Sequence, residues 1–171
     1  NIVFLECNPS TSTIVSPVEW RSKAYSSVLI GPPLKLGMGK VRCSLLFEKI
    51  SGFLSTLGVI LPGKQTQETL SNFGIADVSG IGIHLWTRGC SVGDESAAEY
   101  AGGQPPDYLA TDFQITCGAQ IDLLLDCSTM LLTADANGRT FYRCSNIPAG
   151  SRFAVGDGGG GGMIVKIVGS L

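Results

Sequence analysis

Glycine limits what this chain can fold into: 23 of its 171 residues are Gly, and they are spread along the whole length. A glycine inside a helix costs roughly 0.5–1 kcal/mol relative to alanine. Few stretches between Gly and Pro are long enough for a helix of ordinary length, so the segments between breakers read as strands. Ser26–Ile30 is short and β-branched at its centre, and Val41–Phe47 follows Gly37-Met38-Gly39. Ile81–Trp86 alternates, with Ile81, Ile83 and Leu85 separated by Gly82 and His84. Ile121–Asp126 and Met130–Ala134 flank Cys127-Ser128-Thr129 and read as a hairpin. Asp135-Ala136-Asn137-Gly138 is a turn, because Asn-Gly accepts positive φ. Thr140–Cys144, Arg152–Val155 and Met163–Val168 complete the strands. Short strands with a turn signal every ten or so residues predict an all-β antiparallel β-sandwich with little helix, in a single domain over residues 1–171. Two segments fit helical spacing as well. Leu46, Ile50, Phe53, Leu54 and Leu57 do so, but Gly52 favours strand–turn–strand; Ser96–Ala101 is read as a helical turn ended by Pro105-Pro106.

Composition narrows the function classes. A hydrophobic fraction of 44% against 15% charged residues suits a packed core rather than a disordered chain. Twelve basic and 14 acidic residues give a net charge of −2 without a basic stripe, which argues against nucleic acid. The longest apolar runs, such as Ile121–Leu125, are far short of the roughly 20 residues a membrane span needs, and no polybasic amphipathic segment points to a membrane surface. The chain opens on Asn1 and is read as a processed product or a domain excised from a larger protein. Cys7, Cys43, Cys90, Cys117, Cys127 and Cys144 are irregularly spaced with no CxxC, and His84 is the single histidine. We read the cysteines as mostly free, buried thiols of an intracellular, cytoplasmic protein that holds no structural metal.

Several motifs have chemical readings that the context weakens. Gly58–Gln65 resembles a phosphate-binding loop, but Gln65 stands where magnesium needs a hydroxyl and Pro62 removes an N–H donor. The reading preferred there is a strand ending in a Pro-Gly turn. The Gly156–Gly162 run precedes a strand rather than a helix, so it is a hairpin loop and not a dinucleotide fingerprint. His84 with Cys90 or Ser91 would make a nucleophilic site only by spatial convergence. Asp122 and Asp126 share one face of a strand and form a candidate carboxylate pair for glycoside hydrolysis or calcium binding, although such residues more often cap turns or face solvent. Trp20 and Trp86 would stack on a sugar in a lectin, but Trp is usually core.

The C-terminal third resembles the SPRY family. Gly118–Asp126 is similar to its GD-hydrophobic-LD strand, Ser128–Thr133 to the following GTLSF strand, and Asn137-Gly138 to its hairpin NG. Asn146-Ile147-Pro148 and Phe153-Ala154-Val155 resemble the segment before the last strand, and Gly82–Trp86 the central strand that carries Trp. Ala119 replaces the usual Asp, Asp122 a small residue, and Val41–Phe47 an aromatic-rich strand. The resemblance implies a bent, jelly-roll or concanavalin-like sandwich that binds proteins through loops at one edge.

The long connection from Arg88 to Tyr108 is the candidate site. Arg88, Asp94, Glu95, Tyr100, Asp107 and Tyr108 are expected to bind a protein or peptide partner, with no catalytic residue, metal or cofactor. A carbohydrate-binding, lectin-like domain is the runner-up, and a hydrolase using Asp122 and Asp126 comes third.

Overall fold

The computed structural model describes residues 4–50, 54–72, 74–86, 98–102, 104–110, 117–159 and 162–169. Two antiparallel sheets face each other. One has six strands, in the spatial order β1 (Leu5–Cys7), β4 (Ser26–Ile30), β13 (Arg152–Asp157), β6 (Leu54–Ile60), β7 (Gly80–Trp86) and β8 (Ala98–Gly102). The other has eight, in the order β2 (Ser12–Ser16), β3 (Glu19–Ser22), β14 (Ile164–Ile167), β5 (Lys40–Lys49), β10 (Gln120–Asp126), β11 (Leu131–Ala136), β12 (Arg139–Cys144) and β9 (Tyr108–Leu109). The expected antiparallel β-sandwich is therefore the architecture.

Period-two alternation builds the core between the sheets. From the eight-stranded sheet come Ile121, Leu123 and Leu125 of β10, Leu132 and Ala134 of β11, and Val165 and Ile167 of β14. The six-stranded sheet answers with Val28 and Ile30, Leu57 and Val59, Ile81 and Ile83, and Phe153 and Val155. Fully burying a side chain of this size contributes about 1.5–3 kcal/mol. β4 is buried at every position because the outer face of its sheet is covered as well. A one-turn helix α1 (Gln67–Leu70) and a π-helical turn, Ile75–Ser79, bring Leu70 and Ile75 onto Leu29, Ile60, Ala101 and Ala154.

The strand–turn–strand reading of Leu46–Leu57 holds, since β5 ends at Lys49 and β6 begins at Leu54. The helical turn expected at Ser96–Ala101 is corrected. Residues 98–102 form β8, paired with β7 from Ile81↔Gly102 to Leu85↔Ala98, and the ladder takes up the backbone groups that a helix would have used. Sequence reading also missed β1, which is only three residues long, and β2 and β3, whose polar residues hide their alternation. The hairpin turn is as read: Asn137 and Gly138 both have positive φ, 53° and 74°.

Two glycines set the spacing of β6 and β7. Gly58 and Gly82 are cross-strand partners. A Cβ on Gly82 would collide with the Leu57 carbonyl oxygen, and one on Gly58 with that of Ile81. Because the obstacle is backbone inside a paired sheet, it cannot swing aside. Gly82→Ala is expected to destabilise the fold by roughly 3 kcal/mol, the upper end of overpacking costs. Urea denaturation checks this, and an unchanged midpoint would contradict the close approach.

Candidate functional site

The six-stranded sheet ends at β8 and the eight-stranded sheet at β9, and these two strands lie against each other along one side of the sandwich. Pro105-Pro106 restricts the backbone of the segment that crosses between them. Hydrogen bonds then fasten this segment to β12 and the residues after it. The Gln104 Nε2 donates to the Ser145 carbonyl at 2.7 Å, and the Asp107 N–H to the Arg143 carbonyl at 2.8 Å. The Ser145 N–H donates to Asp107 Oδ2 at 2.6 Å, and the Ala110 N–H to the Phe141 carbonyl at 2.8 Å. Tyr142 is wholly buried beside this segment, and burial pushes its hydroxyl pKa above the usual range. Tyr108 is 43% exposed, so it presents a ring to solvent from a backbone already fixed in place.

Among the expected partner-binding residues, Asp107 and Tyr108 are brought together here. The Asp107 side chain anchors the segment, and Tyr108 stands out from it. Tyr100 lies on β8 opposite Ile83, at the same side of the sandwich, and its side chain is outside the described residues. Arg88, Asp94 and Glu95 also lie outside them.

A second feature escaped the sequence reading. On the outer face of the eight-stranded sheet, Arg42, Gln120, Asp122, Asp135, Ala136, Asn137 and Gly138 line a cleft of about 450 Å³. Asp122 of β10 pairs in register with Asp135 of β11 and with Ser44 of β5, so two carboxylates sit directly opposite each other on one face. Asp122 Oδ1 accepts from Gln120 Nε2 at 3.0 Å. Asp135 Oδ1 is sealed from water with no hydrogen-bond partner. A signal for this was present: folding the hairpin about Cys127-Ser128-Thr129 and carrying β11 on to Asp135 brings that residue alongside β10.

No known family's sequence profile matches this chain, and neither does any curated protein sequence. Solved structures do match it. The SPRY domain of human HERC1 superposes with a TM-score of 0.62 at 12% identity, over 95% of this chain and 92% of that one. The TRIM65 PSpry domain gives 0.59 at 11% identity, over 99% and 93%. The fold is SPRY-like. The carbohydrate recognition domain of Emp47p is similar as well, at 0.56 and 12% identity, over 98% and 86%.

In this SPRY-like domain the resembling motifs occupy the expected places: Gly118–Asp126 leads into and forms β10, Ser128–Thr133 turns into β11, and Asn137-Gly138 joins β11 to β12. Of the candidate pair Asp122 and Asp126, Asp126 takes the turn-capping role that the sequence reading favoured. Asp126 caps the turn after β10, accepting from the Ser128 N–H at 2.9 Å and hydroxyl at 2.5 Å, which holds its carboxyl below the usual range. Asp135 is the carboxylate that faces Asp122. Trp20 is core, at 1% exposure, and is not available to stack on a sugar. His84 lies on β7 opposite Thr56, while Cys90 and Ser91 are outside the described residues. The Pro62-Gly63 turn after β6 is as read. Gln65 Nε2 stitches it to the Gly150 carbonyl at 2.8 Å, and the helix that follows is a single turn.

Cys7, Cys43, Cys127 and Cys144 are free thiols, whereas Cys117 is disulfide-bonded, which corrects the thiol reading at that position. Burial pushes the Cys43 thiol well above its ordinary pKa and does the same, less strongly, to Cys127 and Cys144. The thiolate is the reactive form. In the native protein at mildly alkaline pH, iodoacetamide is therefore expected to modify Cys7 before Cys43, Cys127 or Cys144, and peptide mass mapping reads the order. The facing carboxylates carry a second expectation. Like charges directly opposite in a sheet repel, so Asp135→Asn should raise stability by roughly 0.2–1 kcal/mol at low salt, with the gain shrinking as salt screens the pair. Thermal denaturation across a salt series measures it, and a loss of stability would mean that Asp135 has a bonding role instead.

Proposed function

We propose that this domain is a non-enzymatic binding module for a protein or peptide partner, received where β8 and β9 close one side of the sandwich. The carrying observation is Tyr108, an exposed aromatic on a terminal strand whose backbone is braced at Asp107 and Ala110. Tyrosine anchors interfaces because it desolvates a large area while keeping a polar handle. A braced segment has little left to order when a partner arrives, so less entropy opposes binding. β9 is also an edge strand, which lets an extended peptide approach alongside it. Arg88, Asp94, Glu95, Tyr100 and Asp107 are proposed to surround this anchor. The net charge of −2 supports a protein partner over nucleic acid.

Selection from a displayed random-peptide library tests the reading. Native protein should enrich a peptide motif, and Tyr108→Ala should weaken the selected peptides by roughly 1–3 kcal/mol, with an unchanged melting temperature. Retained affinity in Tyr108→Ala, or capture of glycans on an array with no enriched peptide, would overturn it.

A further inference from the structure

Leu36 is 65% exposed, more than any other large apolar side chain among the described residues, and Met38 is 44% exposed. Both belong to the connection between β4 and β5, whose backbone is fixed. The Met38 N–H donates to the Lys35 carbonyl at 3.3 Å and closes a turn over Leu36 and Gly37, with Gly37 at φ 83° as the third position of a type II turn requires. The Lys35 N–H donates to Met38 Sδ at 3.1 Å, so the methionine folds over the same turn. The Gly37 N–H donates to the Cys127 carbonyl at 3.2 Å, and the Cys127 N–H to the Gly39 carbonyl at 2.8 Å. Behind the turn, buried Leu34 is tied to the connection between β12 and β13. Its N–H donates to the Ser151 carbonyl at 2.8 Å, and its carbonyl accepts from the Gly150 N–H at 2.7 Å. The tip still projects: a Cβ built on Gly37 or Gly39 would meet nothing within 4 Å.

One exposed apolar side chain by itself means little. Here two share a braced turn, and the charges that flank them have one sign. Lys35 and Lys40 are both exposed, and neither joins an ion pair among the described residues. Asp126 faces Lys40 across the β5–β10 pair, but its carboxylate is taken by the Ser128 N–H and hydroxyl. Lys166, on the same sheet, is by contrast held between Glu48 and Glu19. Two unpaired cations beside two solvent-facing aliphatic side chains define their complement: apolar side chains that cover Leu36 and Met38, with carboxylates placed for Lys35 and Lys40. We infer that this turn is a second interaction surface, which receives an apolar segment of a protein partner flanked by acidic residues. It goes beyond the Tyr108 reading and does not depend on it.

Two other occupants fit less well. A second copy docked turn to turn about a two-fold axis would bring the lysines of both copies together, and like charges oppose association. An anionic membrane leaflet recruits protein segments through clusters of about four to eight basic residues, and this turn has two. A segment that carries its own carboxylates needs no more than those two. The bonds to Cys127 and Ser151 fix the backbone before a partner arrives, so only side chains remain to be ordered on binding. Met38 adds tolerance of shape, because a thioether side chain adapts to different apolar partners.

Selection from a displayed random-peptide library on the Tyr108→Ala variant tests this surface with the other anchor removed. The selection should enrich peptides that combine Leu, Ile or Phe with Asp or Glu, and a synthetic copy of the enriched peptide then serves as the probe. Adding Leu36→Ser and Met38→Ser to that variant should weaken the probe roughly tenfold to a hundredfold, at an unchanged melting temperature because both side chains are exposed. Adding Lys35→Glu and Lys40→Glu instead should abolish probe binding and, in a fresh selection, enrich Lys or Arg where the acids stood. No enriched peptide, an enriched peptide without acids, affinity retained in the Leu36 and Met38 variant, or an unchanged preference after charge reversal would each overturn the inference. Sedimentation of the native protein with phosphatidylcholine–phosphatidylserine vesicles, lost in the Leu36 and Met38 variant, would overturn it in favour of a membrane contact. None of these outcomes bears on the Tyr108 reading, which stands or falls on the selection with native protein.

Discussion

A slip of β10 by one residue against β5 and β11 would turn Asp122 and Asp126 into the core and Leu123 out of it. Burying an unpaired carboxylate costs several kcal/mol, and exposing a large apolar side chain forfeits its burial, so the register is strongly specified. The same pairing decides both faces of the eight-stranded sheet. Inward it places Ile121, Leu123 and Leu125 in the core. Outward it lines up Gln120, Asp122 and Asp126, and sets Asp122 against Asp135. The cleft is thus the reverse side of the interaction that builds the core, and it inherits that rigidity.

The six-stranded sheet follows a different logic. Leu29, Ile60 and Ala154 on its outer face are fully buried, because α1 and the π-helical turn cover them with Leu70 and Ile75. Gly58 and Gly82 let the backbones of β6 and β7 approach more closely than any side chain would permit. Another buried network ties the two sheets together: the Asp157 carboxylate accepts from the Ser22 hydroxyl and from the Gly159 N–H at 2.7 Å, and Ser22 Oγ in turn accepts from the Met163 N–H at 2.8 Å. This fastens Gly159 and Met163, on either side of the connection between β13 and β14. The exposed Tyr108 and the Asp122–Asp135 cleft accordingly lie on the β8–β9 side and on the other sheet.

Much of the fold was legible because hydrophobic alternation and turn chemistry are local. β4, β5, β7 and β10 to β14 were each visible as apolar periodicity bounded by Gly, Asn or Pro. The N-terminal strands were not, since β2 and β3 consist largely of Ser, Thr, Glu and Arg and owe their conformation to pairing with each other and with β14. Residues 98–102 were misread for the same reason: Ala and Glu favour helix locally, and only the β7 ladder makes the segment a strand. Asp107 and Tyr108 were singled out as candidates from residue type and loop length. The bond from the Ser145 N–H that gives Asp107 an anchoring role spans 38 positions and was not legible.

Sequence alone determined that this chain is an antiparallel β-sandwich and where most of its strands and its Asn-Gly hairpin fall, because those outcomes follow from side-chain period and from backbone conformations that few residues tolerate. Tertiary structure alone decided which charges meet. Asp122 and Asp126 share a strand face four residues apart, but the Ser128 turn takes Asp126 and the β10–β11 register sets Asp135 opposite Asp122. Arg42 arrives from a strand some eighty positions earlier. Long-range pairing sums contributions from three strands at once, and no local pattern encodes that sum.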